Sequence, residues 1–176
     1  MNLLDAIMKN NYMDGFLRAY PLLIIFYIIT NFLLYKNSIN YFFLIFVFFN
    51  VLVNKFLKSI VFKSMMGNNY FPIIGIGKRP DNAMNCGLFK NNKKSTTYGM
   101  PSGHSQHAMA FPTFMLLNKL TNNINIIMLF YLIGFVVMYS RVYFKCHTIQ
   151  QVLLGGVVGC LNAYMVTKYK YLFIYQ

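Results

Sequence analysis

Long apolar runs constrain this chain more than any other feature of its sequence. Residues 20–35 and 41–62 each come close to the roughly 20 helical residues that span a bilayer. Three further runs follow at residues 102–120, 124–144 and 147–167. Only 11% of the residues are charged, whereas a soluble domain carries roughly 25%. The sequence therefore predicts an all-α, polytopic membrane bundle of about five transmembrane helices.

The segments outside these runs fit one domain over residues 1–176. Residues 1–19, which carry acids and Asn among apolar residues, lack the form of a cleaved signal peptide. We expect them to form an interfacial helix. Pro21 fits the start of the first span. Residues 63–100 are rich in Gly, Asn and Lys and form the long extramembrane loop. The fifth run carries small residues that predict close helix packing, namely Gly155, Gly156 and Gly159.

The charge balance favours an anionic partner at the membrane. Sixteen Lys and Arg stand against three acids, giving a net charge of +13. The basic residues lie between apolar runs and form no dense tract, which favours lipid head groups over nucleic acid. Clustered carboxylates that would hold Mg²⁺ or Ca²⁺ are absent, so we expect phosphate chemistry to use His, Arg and Lys without a metal or cofactor. Three cysteines without a CxxC pair indicate neither a zinc site nor a disulfide framework.

The first chemical motif is Pro-Ser-Gly-His at residues 101–104, where the third apolar run begins. Ser102 is a good helix N-cap, and Gly103 allows close backbone approach. Backbone N–H groups at a helix start bind phosphate, so both residues are phosphate-binding candidates. His104 is a candidate catalytic residue. Taken alone, the motif fits an ordinary capped helix start equally well.

The second motif is Ser-Arg at residues 140–141, followed by His147. The Arg141 guanidinium can bind two phosphate oxygens at once. Gln151 lies one helical turn after His147, and its carbonyl can hold one imidazole N–H so that the other nitrogen is unprotonated. The plainer alternative is an interfacial Arg and His with a polar residue facing the bundle.

Five spans bring these motifs to the same side of the membrane. Residues 1–19, 63–103 and 140–147 share one face, and the two short loops and the C-terminal tail lie on the other. Both motifs and Arg79 therefore meet at one face.

These residues resemble the type 2 phosphatidic acid phosphatase superfamily, whose pattern is K-x6-RP, PSGH and SR-x5-H-x3-D. The second motif is complete, and the third is complete through His147. The lysine expected before Arg79 is replaced by Pro72, and an apparent insertion leaves Lys58 as first candidate, with Lys78 and Lys55 as alternatives. Gln151 replaces the Asp, as in the endoplasmic-reticulum branches. The residues flanking the motifs are most similar to dolichyl-diphosphatase-like enzymes.

The resemblance implies a phosphatidic acid phosphatase type 2/haloperoxidase-like bundle and a metal-independent lipid phosphatase. His147 would attack phosphorus to give a phosphohistidine, while Arg79, Arg141 and a lysine neutralise the phosphate oxygens. His104 would protonate the leaving group and then activate water.

The implied substrate is a lipid phosphate or diphosphate, with dolichyl or polyprenyl diphosphate favoured. The implied location is the endoplasmic reticulum or a related endomembrane, among membrane lipids. Alternatives are a lipid phosphotransferase, a phosphatidate phosphatase and a catalytically inactive membrane scaffold. The lipid, the side of the membrane that holds the site and the oligomeric state stay open.

Overall fold

The protein is a helical bundle with one small hairpin. The computed structural model describes residue 8, residues 10–81, residues 83 and 87, and residues 94–170. Its helices are α1 Asn11–Leu34, α2 Ser38–Met66, α3 Gly103–Leu117, α4 Ile124–Tyr143 and α5 Ile149–Lys168. Strands β1 Tyr70–Phe71 and β2 Gly75–Ile76 pair antiparallel between α2 and α3. The predicted all-α membrane bundle is confirmed, and the hairpin is an addition within the predicted 63–100 loop.

Helix α3 differs from its neighbours in length and position. Helices α1, α2, α4 and α5 are long and apolar enough to cross a membrane. The 15 residues of α3 extend about 22 Å at 1.5 Å per residue, less than the roughly 30 Å of a hydrocarbon core. Most of its side chains are buried, mainly against α5 and α4. The third predicted run is thus a short central helix surrounded by four candidate spans.

The first helix begins earlier than predicted. The Asn10 side chain caps α1 by accepting hydrogen bonds from two backbone N–H groups, and Pro21 lies inside the helix. Residues 11–19 therefore continue into the first span, while residues 1–7 and 9 lie outside the described part of the chain. Two polar residues of this segment, Asp14 and Arg18, are buried and paired at 2.7 Å instead of lying at the membrane surface. Polar residues facing the bundle and polar residues facing the interface give the same local sequence pattern.

Helix α2 changes geometry near its end. Its segment Leu57–Phe62 is a π-helix, after which a last α-helical turn reaches Met66. Single π-helical turns are common at functional sites because they rotate the following side chains out of the regular register. Lys58 lies within this segment, so the change affects where a candidate ligand points.

Close packing and stacked aromatic rings position α3. The Phe114 ring stacks on Phe43 and Phe46 of α2, each at a centroid distance of 4.5 Å. On the opposite side, a methyl group added at Gly155 or Gly159 of α5 would overlap a backbone carbonyl oxygen of the α3 region. This confirms the predicted small-residue packing face on the fifth run.

A group of polar side chains joins α2, α3 and α5 inside the bundle. We call it the amide cluster, and its members are Asn50, Asn54, Gln106, His107 and Asn162. The Asn50 Oδ1 atom accepts from Gln106 Nε2 at 2.7 Å and from Asn162 Nδ2 at 2.8 Å. Asn50 Nδ2 lies 3.1 Å from His107 Nδ1, and Asn54 Nδ2 donates to Gln106 Oε1 at 2.7 Å. The cluster fixes the register of three helices with neutral hydrogen bonds.

Candidate active site

Both motifs and Arg79 contribute to one cavity at the end of the bundle. This inner cavity has a volume of about 340 Å³. The predicted residues Arg79, His104, Arg141 and His147 line it, together with Gly87 and residues 94–97. Described residues of the segment before α3 thus meet the start of α3, the end of α4 and the residues before α5. The arrangement unites cationic ligands with two imidazoles.

The His147 ring is held by Gln151. His147 Nδ1 lies 3.0 Å from Gln151 Oε1 in a buried contact. Because an amide oxygen only accepts, Nδ1 carries the proton and Nε2 carries the lone pair. Thr148 caps α5 in a capping box with Gln151, which fixes the backbone on which both side chains stand. The contact therefore fixes the orientation of the imidazole and the tautomer of its neutral ring.

The amide nitrogen of Gln151 has a second role. Its Nε2 donates to the carbonyl oxygens of Ile76 at 2.8 Å and Lys78 at 2.7 Å. The strand that leads to Arg79 is thereby tied to the residue that orients His147. An aspartate at this position could hold the imidazole but could not donate to these carbonyls. Local sequence gave no signal for this link, because it joins segments more than 70 residues apart.

Arg79 and Arg141 also support the residues around His147. Arg79 Nη1 donates to the Cys146 carbonyl at 2.9 Å, and its Nη2 donates to Thr97 Oγ1 at 3.0 Å. Arg141 is fully buried and donates from Nε to Ser140 Oγ at 3.0 Å. The Arg141 carbonyl accepts from the backbone N–H of Cys146 and of His147. Hydrogen bonds thus hold two cationic side chains beside His147.

Burial and charge shift the ionisation of this group. Burial, followed by the positive charges of Arg79 and Lys58, holds the pKa of His147 well below 6.5. Burial lowers the pKa of Arg79 to about 10. Near neutral pH His147 is therefore unprotonated while Arg79 keeps its charge. This is the combination that an imidazole nucleophile and a phosphate ligand need.

Sequence reasoning missed the contribution of the first helix. His104 Nε2 lies 3.2 Å from the Arg18 carbonyl oxygen, so Nε2 donates and Nδ1 carries the lone pair of the neutral ring. The Arg18 guanidinium pairs with Asp14 and lies 5.5 Å from the Phe144 ring centroid. The four-residue spacing of Asp14 and Arg18 was visible in the sequence, but their burial depends on packing between helices.

Ser102 and Gly103 contact the residues around the inner cavity. The Ser102 N–H donates to the Gln151 carbonyl at 3.0 Å, and the Ser102 Oγ accepts from the Ser105 hydroxyl at 2.9 Å. The Ser102 N–H is thus already engaged within the protein, and neither Ser102 nor Gly103 lines the inner cavity. Gly103 begins α3 beside the Asn54 side chain, where an added Cβ would lie 3.2 Å from the amide oxygen.

The candidate lysines line a second cavity. This outer cavity has a volume of about 530 Å³ and shares Arg79 and residues 94–97 with the inner cavity. Lys58, the first candidate, lines it together with Lys78, Lys55 and Lys63. None of these four lines the inner cavity. Lys58 is still close enough to lower the pKa of His147.

One cysteine prediction was wrong. Cys146, which precedes His147, is disulfide-bonded, whereas Cys160 is free. The sequence pattern does not reveal such a bond, because it depends on which segments meet in space. Among the residues that the structure describes, no group of three His, Cys, Asp or Glu side chains could hold a metal ion. Metal-independent chemistry stays a prediction.

The chain is similar to known proteins over part of its length, and it matches one protein family. The chain is similar to Dolichyldiphosphatase 1 of Homo sapiens and of Mus musculus, each 39% identical over 82 residues. The protein of that name from Rhinolophus ferrumequinum is 40% identical over 82 residues. Each match covers 39% of this chain and 34% of the relative's length. No solved structure matches the chain significantly.

The family assignment covers more of the sequence. The profile of the PAP2 superfamily matches residues 42–174, which include Arg79 and both histidine motifs. Helix α1, with Asp14 and Arg18, precedes the matched region. The match extends over well more than half of the 176 residues, and the chain belongs to the PAP2 superfamily.

Proposed function

We propose that this protein is an integral membrane phosphatase that hydrolyses a lipid phosphate or diphosphate through a phosphohistidine on His147. The observation that carries the proposal is the His147 Nδ1–Gln151 Oε1 contact of 3.0 Å. It leaves the lone pair on Nε2 of an imidazole that lines the same cavity as Arg79 and Arg141. A neutral nucleophile beside fixed cations suits attack on an anionic phosphorus centre.

In the first step, His147 Nε2 forms a bond to phosphorus as the bond from phosphorus to the leaving oxygen breaks. The electron pair of that bond stays on the leaving oxygen, which takes a proton from Nδ1 of His104. His104 is neutral in the empty cavity and takes up this proton when the anionic substrate binds. Arg79 and Arg141 neutralise the charge on the other phosphate oxygens. The products of this step are a phosphohistidine and the released lipid alcohol or lipid phosphate.

In the second step, water attacks the phosphohistidine and the nitrogen–phosphorus bond breaks. Its electron pair returns to Nε2, and the water proton goes to His104, which regains the state in which it began. The Arg18 carbonyl, 3.2 Å from His104 Nε2, supports Nδ1 as the ring nitrogen that exchanges this proton. Water is the only co-reactant, and no step requires a metal.

The substrate and location are part of the proposal. The similarity to proteins named Dolichyldiphosphatase 1 favours a polyprenyl or dolichyl diphosphate. The resemblance of Gln151 to the endoplasmic-reticulum branches favours an endoplasmic-reticulum or related membrane. A disulfide at Cys146 supports a site on the lumenal side, because disulfides persist in oxidising compartments. Glycosylation acceptor sites inserted in the 63–100 segment would be modified if that side is lumenal and unmodified if it is cytoplasmic.

The test is turnover of a panel of lipid phosphates and diphosphates by purified protein in detergent. We expect His147→Ala to abolish phosphate release, and EDTA to leave the wild-type rate unchanged. His107→Ala is the matched control, because His107 lies in the amide cluster and outside the inner cavity. Wild-type turnover by His147→Ala would overturn the mechanism. Mass spectrometry of the products distinguishes transfer to water from transfer to a lipid alcohol.

A further inference from the structure

The outer cavity has a strong and largely uncompensated positive charge. Its six cationic side chains are Lys55, Lys58, Lys63, Lys78, Arg79 and Lys94, and Asp81 is the acid that lines it. Among the described residues, the ion pair in this cavity is that of Lys78 with Asp81, at 3.1 Å. So many like charges around one concave surface repel each other unless an anion lies between them.

The two cavities adjoin at Arg79 and residues 94–97. Arg79 donates to the Cys146 carbonyl beside the nucleophile, and its side chain also forms part of the outer wall. Arg79 Nε and Nη2 donate to Thr97, and Nη1 donates to the Cys146 carbonyl. Within the described residues, one further N–H on each of Nη1 and Nη2 is then left to donate. Two phosphates joined by one bridging oxygen can therefore each contact one of these N–H groups.

The outer cavity depends on the segment in which this chain departs from the K-x6-RP spacing. Between Lys58 and Arg79 the chain forms the end of α2 and the β1–β2 hairpin. Lys63 lies on that helical end, and Lys78 follows the hairpin. Gln151 holds this region in place through the carbonyls of Ile76 and Lys78. The residues between Lys58 and Arg79 thus add two cations, Lys63 and Lys78, next to the inner cavity.

We propose that the outer cavity binds the second phosphate of a lipid diphosphate, while the terminal phosphate lies in the inner cavity. This inference rests on the proposed function and deepens it. Attack by His147 on the terminal phosphorus breaks the bond to the bridging oxygen, which leaves with the lipid monophosphate. The outer lysines neutralise the charge that this leaving group gains. The chain is accordingly selective for diphosphates over monophosphates with the same lipid.

The experiment compares two substrates with the same lipid chain in a neutral detergent, one a diphosphate and one a monophosphate. Lys63 is exposed and lines the outer cavity alone, so Lys63→Glu changes its charge without touching the inner cavity. We expect kcat/KM to fall about tenfold for the diphosphate and less than about twofold for the monophosphate. Lys168→Glu, at the other end of α5, is the matched control and should change neither value.

A binding measurement adds a readout that needs no turnover. Inorganic pyrophosphate should raise the thermal stability of the wild type more than inorganic phosphate does, and Lys63→Glu should remove that difference. Equal loss on both substrates, or no loss on either, would overturn the inference. An effect that appears only when anionic lipid is added would also overturn it, because the cavity would then bind a neighbouring head group. If neither substrate is hydrolysed by the wild type, the proposed function fails, and the pyrophosphate measurement still decides the inference.

Discussion

Helix α3 contributes residues to both the amide cluster and the inner cavity. The polar groups of the cluster bond to each other, whereas those of the cavity face an open space. Gln106 and His107 point into hydrogen bonds with Asn50 of α2 at distances between 2.7 and 3.1 Å. Three residues before His107, His104 lines a cavity with Arg79, Arg141 and His147. One region is neutral and closed by its own partners, and the other is cationic and open to a ligand.

This difference indicates that the amide cluster stabilises the helix bundle, whereas the inner cavity serves the proposed chemistry. Neutral amides that satisfy each other inside a membrane bundle hold helices in register at little electrostatic cost. Buried cations without an equal number of acids destabilise the empty protein and gain most from an anion. Changes in the cluster should therefore mainly affect folding, and changes in the cavity should mainly affect binding and turnover.

Among changes that test this comparison, Arg141→Gln should have the largest effect on catalysis. Loss of a buried cation at the phosphate should lower kcat/KM by roughly 10²–10³-fold or more. Vanadate, a phosphate analogue, should raise the thermal stability of the wild type and not that of this variant. Asn162→Ala in the amide cluster is the control and should keep the vanadate effect. A normal vanadate effect in Arg141→Gln would show that the guanidinium is not a phosphate ligand.

Gly155→Ala should damage both regions at once. The added methyl group would overlap the Ser102 carbonyl, and Ser102 donates to the Gln151 carbonyl beside the nucleophile. We expect a loss of about 1–3 kcal/mol in stability and about tenfold in turnover. Gly15→Ala is a matched control, because nothing lies within 4 Å of its added Cβ. Full activity and stability in Gly155→Ala would mean that α3 and α5 are less closely packed than described.

Asn50→Leu should separate stability from catalysis. It removes the acceptor of Gln106 and Asn162 and the donor to His107. Unsatisfied buried partners should cost about 1–3 kcal/mol of unfolding free energy, measured by denaturant titration in mixed micelles. Turnover per folded molecule should stay within about threefold of the wild type. The control is Asn125→Leu, a change at an exposed residue of α4, which should leave the unfolding free energy unchanged. Equal losses of unfolding free energy in the two variants would show that the amide cluster does not contribute specially to stability.

The smallest effect is a shift in pH dependence. The positive charge of Lys58 contributes to the lowered pKa of His147, so Lys58→Gln should raise that pKa. Protonated His147 cannot attack phosphorus. The acidic limb of the pH profile of kcat/KM should therefore move to higher pH. In the wild type, turnover should not fall through His147 protonation between pH 8 and 6.5. Lys36→Gln, on the opposite loop, is the control, and an unshifted limb in Lys58→Gln would contradict the electrostatic coupling.

The sequence predicted the parts of the site that are encoded in local motifs. His104, Arg141 and His147 stand in short patterns at the ends of apolar runs. Counting five alternating runs predicted that they share one face, although the third run forms a helix too short to be a candidate span. The contribution of Arg18 to His104 was missed, because a polar residue near an N-terminus has the same pattern whether it faces lipid head groups or the bundle. That distinction arises only when α1 packs beside the cavity.

The candidate lysines show a second limit of sequence reasoning. Lys58 and Lys78 were predicted as ligands of the phosphate that His147 attacks, but the structure places them around the outer cavity. The π-helical segment and the hairpin set their positions, and neither follows from motif spacing. The double role of Gln151 is similar, since its amide contacts Ile76 and Lys78 from a distant part of the chain.

The central claim is that His147 of the cationic cavity carries the phosphoryl group. The most direct measurement is rapid quenching of the protein with a lipid diphosphate labelled with ³²P on its terminal phosphate. We predict an acid-labile, alkali-stable label on His147, absent in His147→Ala and longer-lived in His104→Ala. Label that persists in His147→Ala, or full turnover by that variant, would contradict the account.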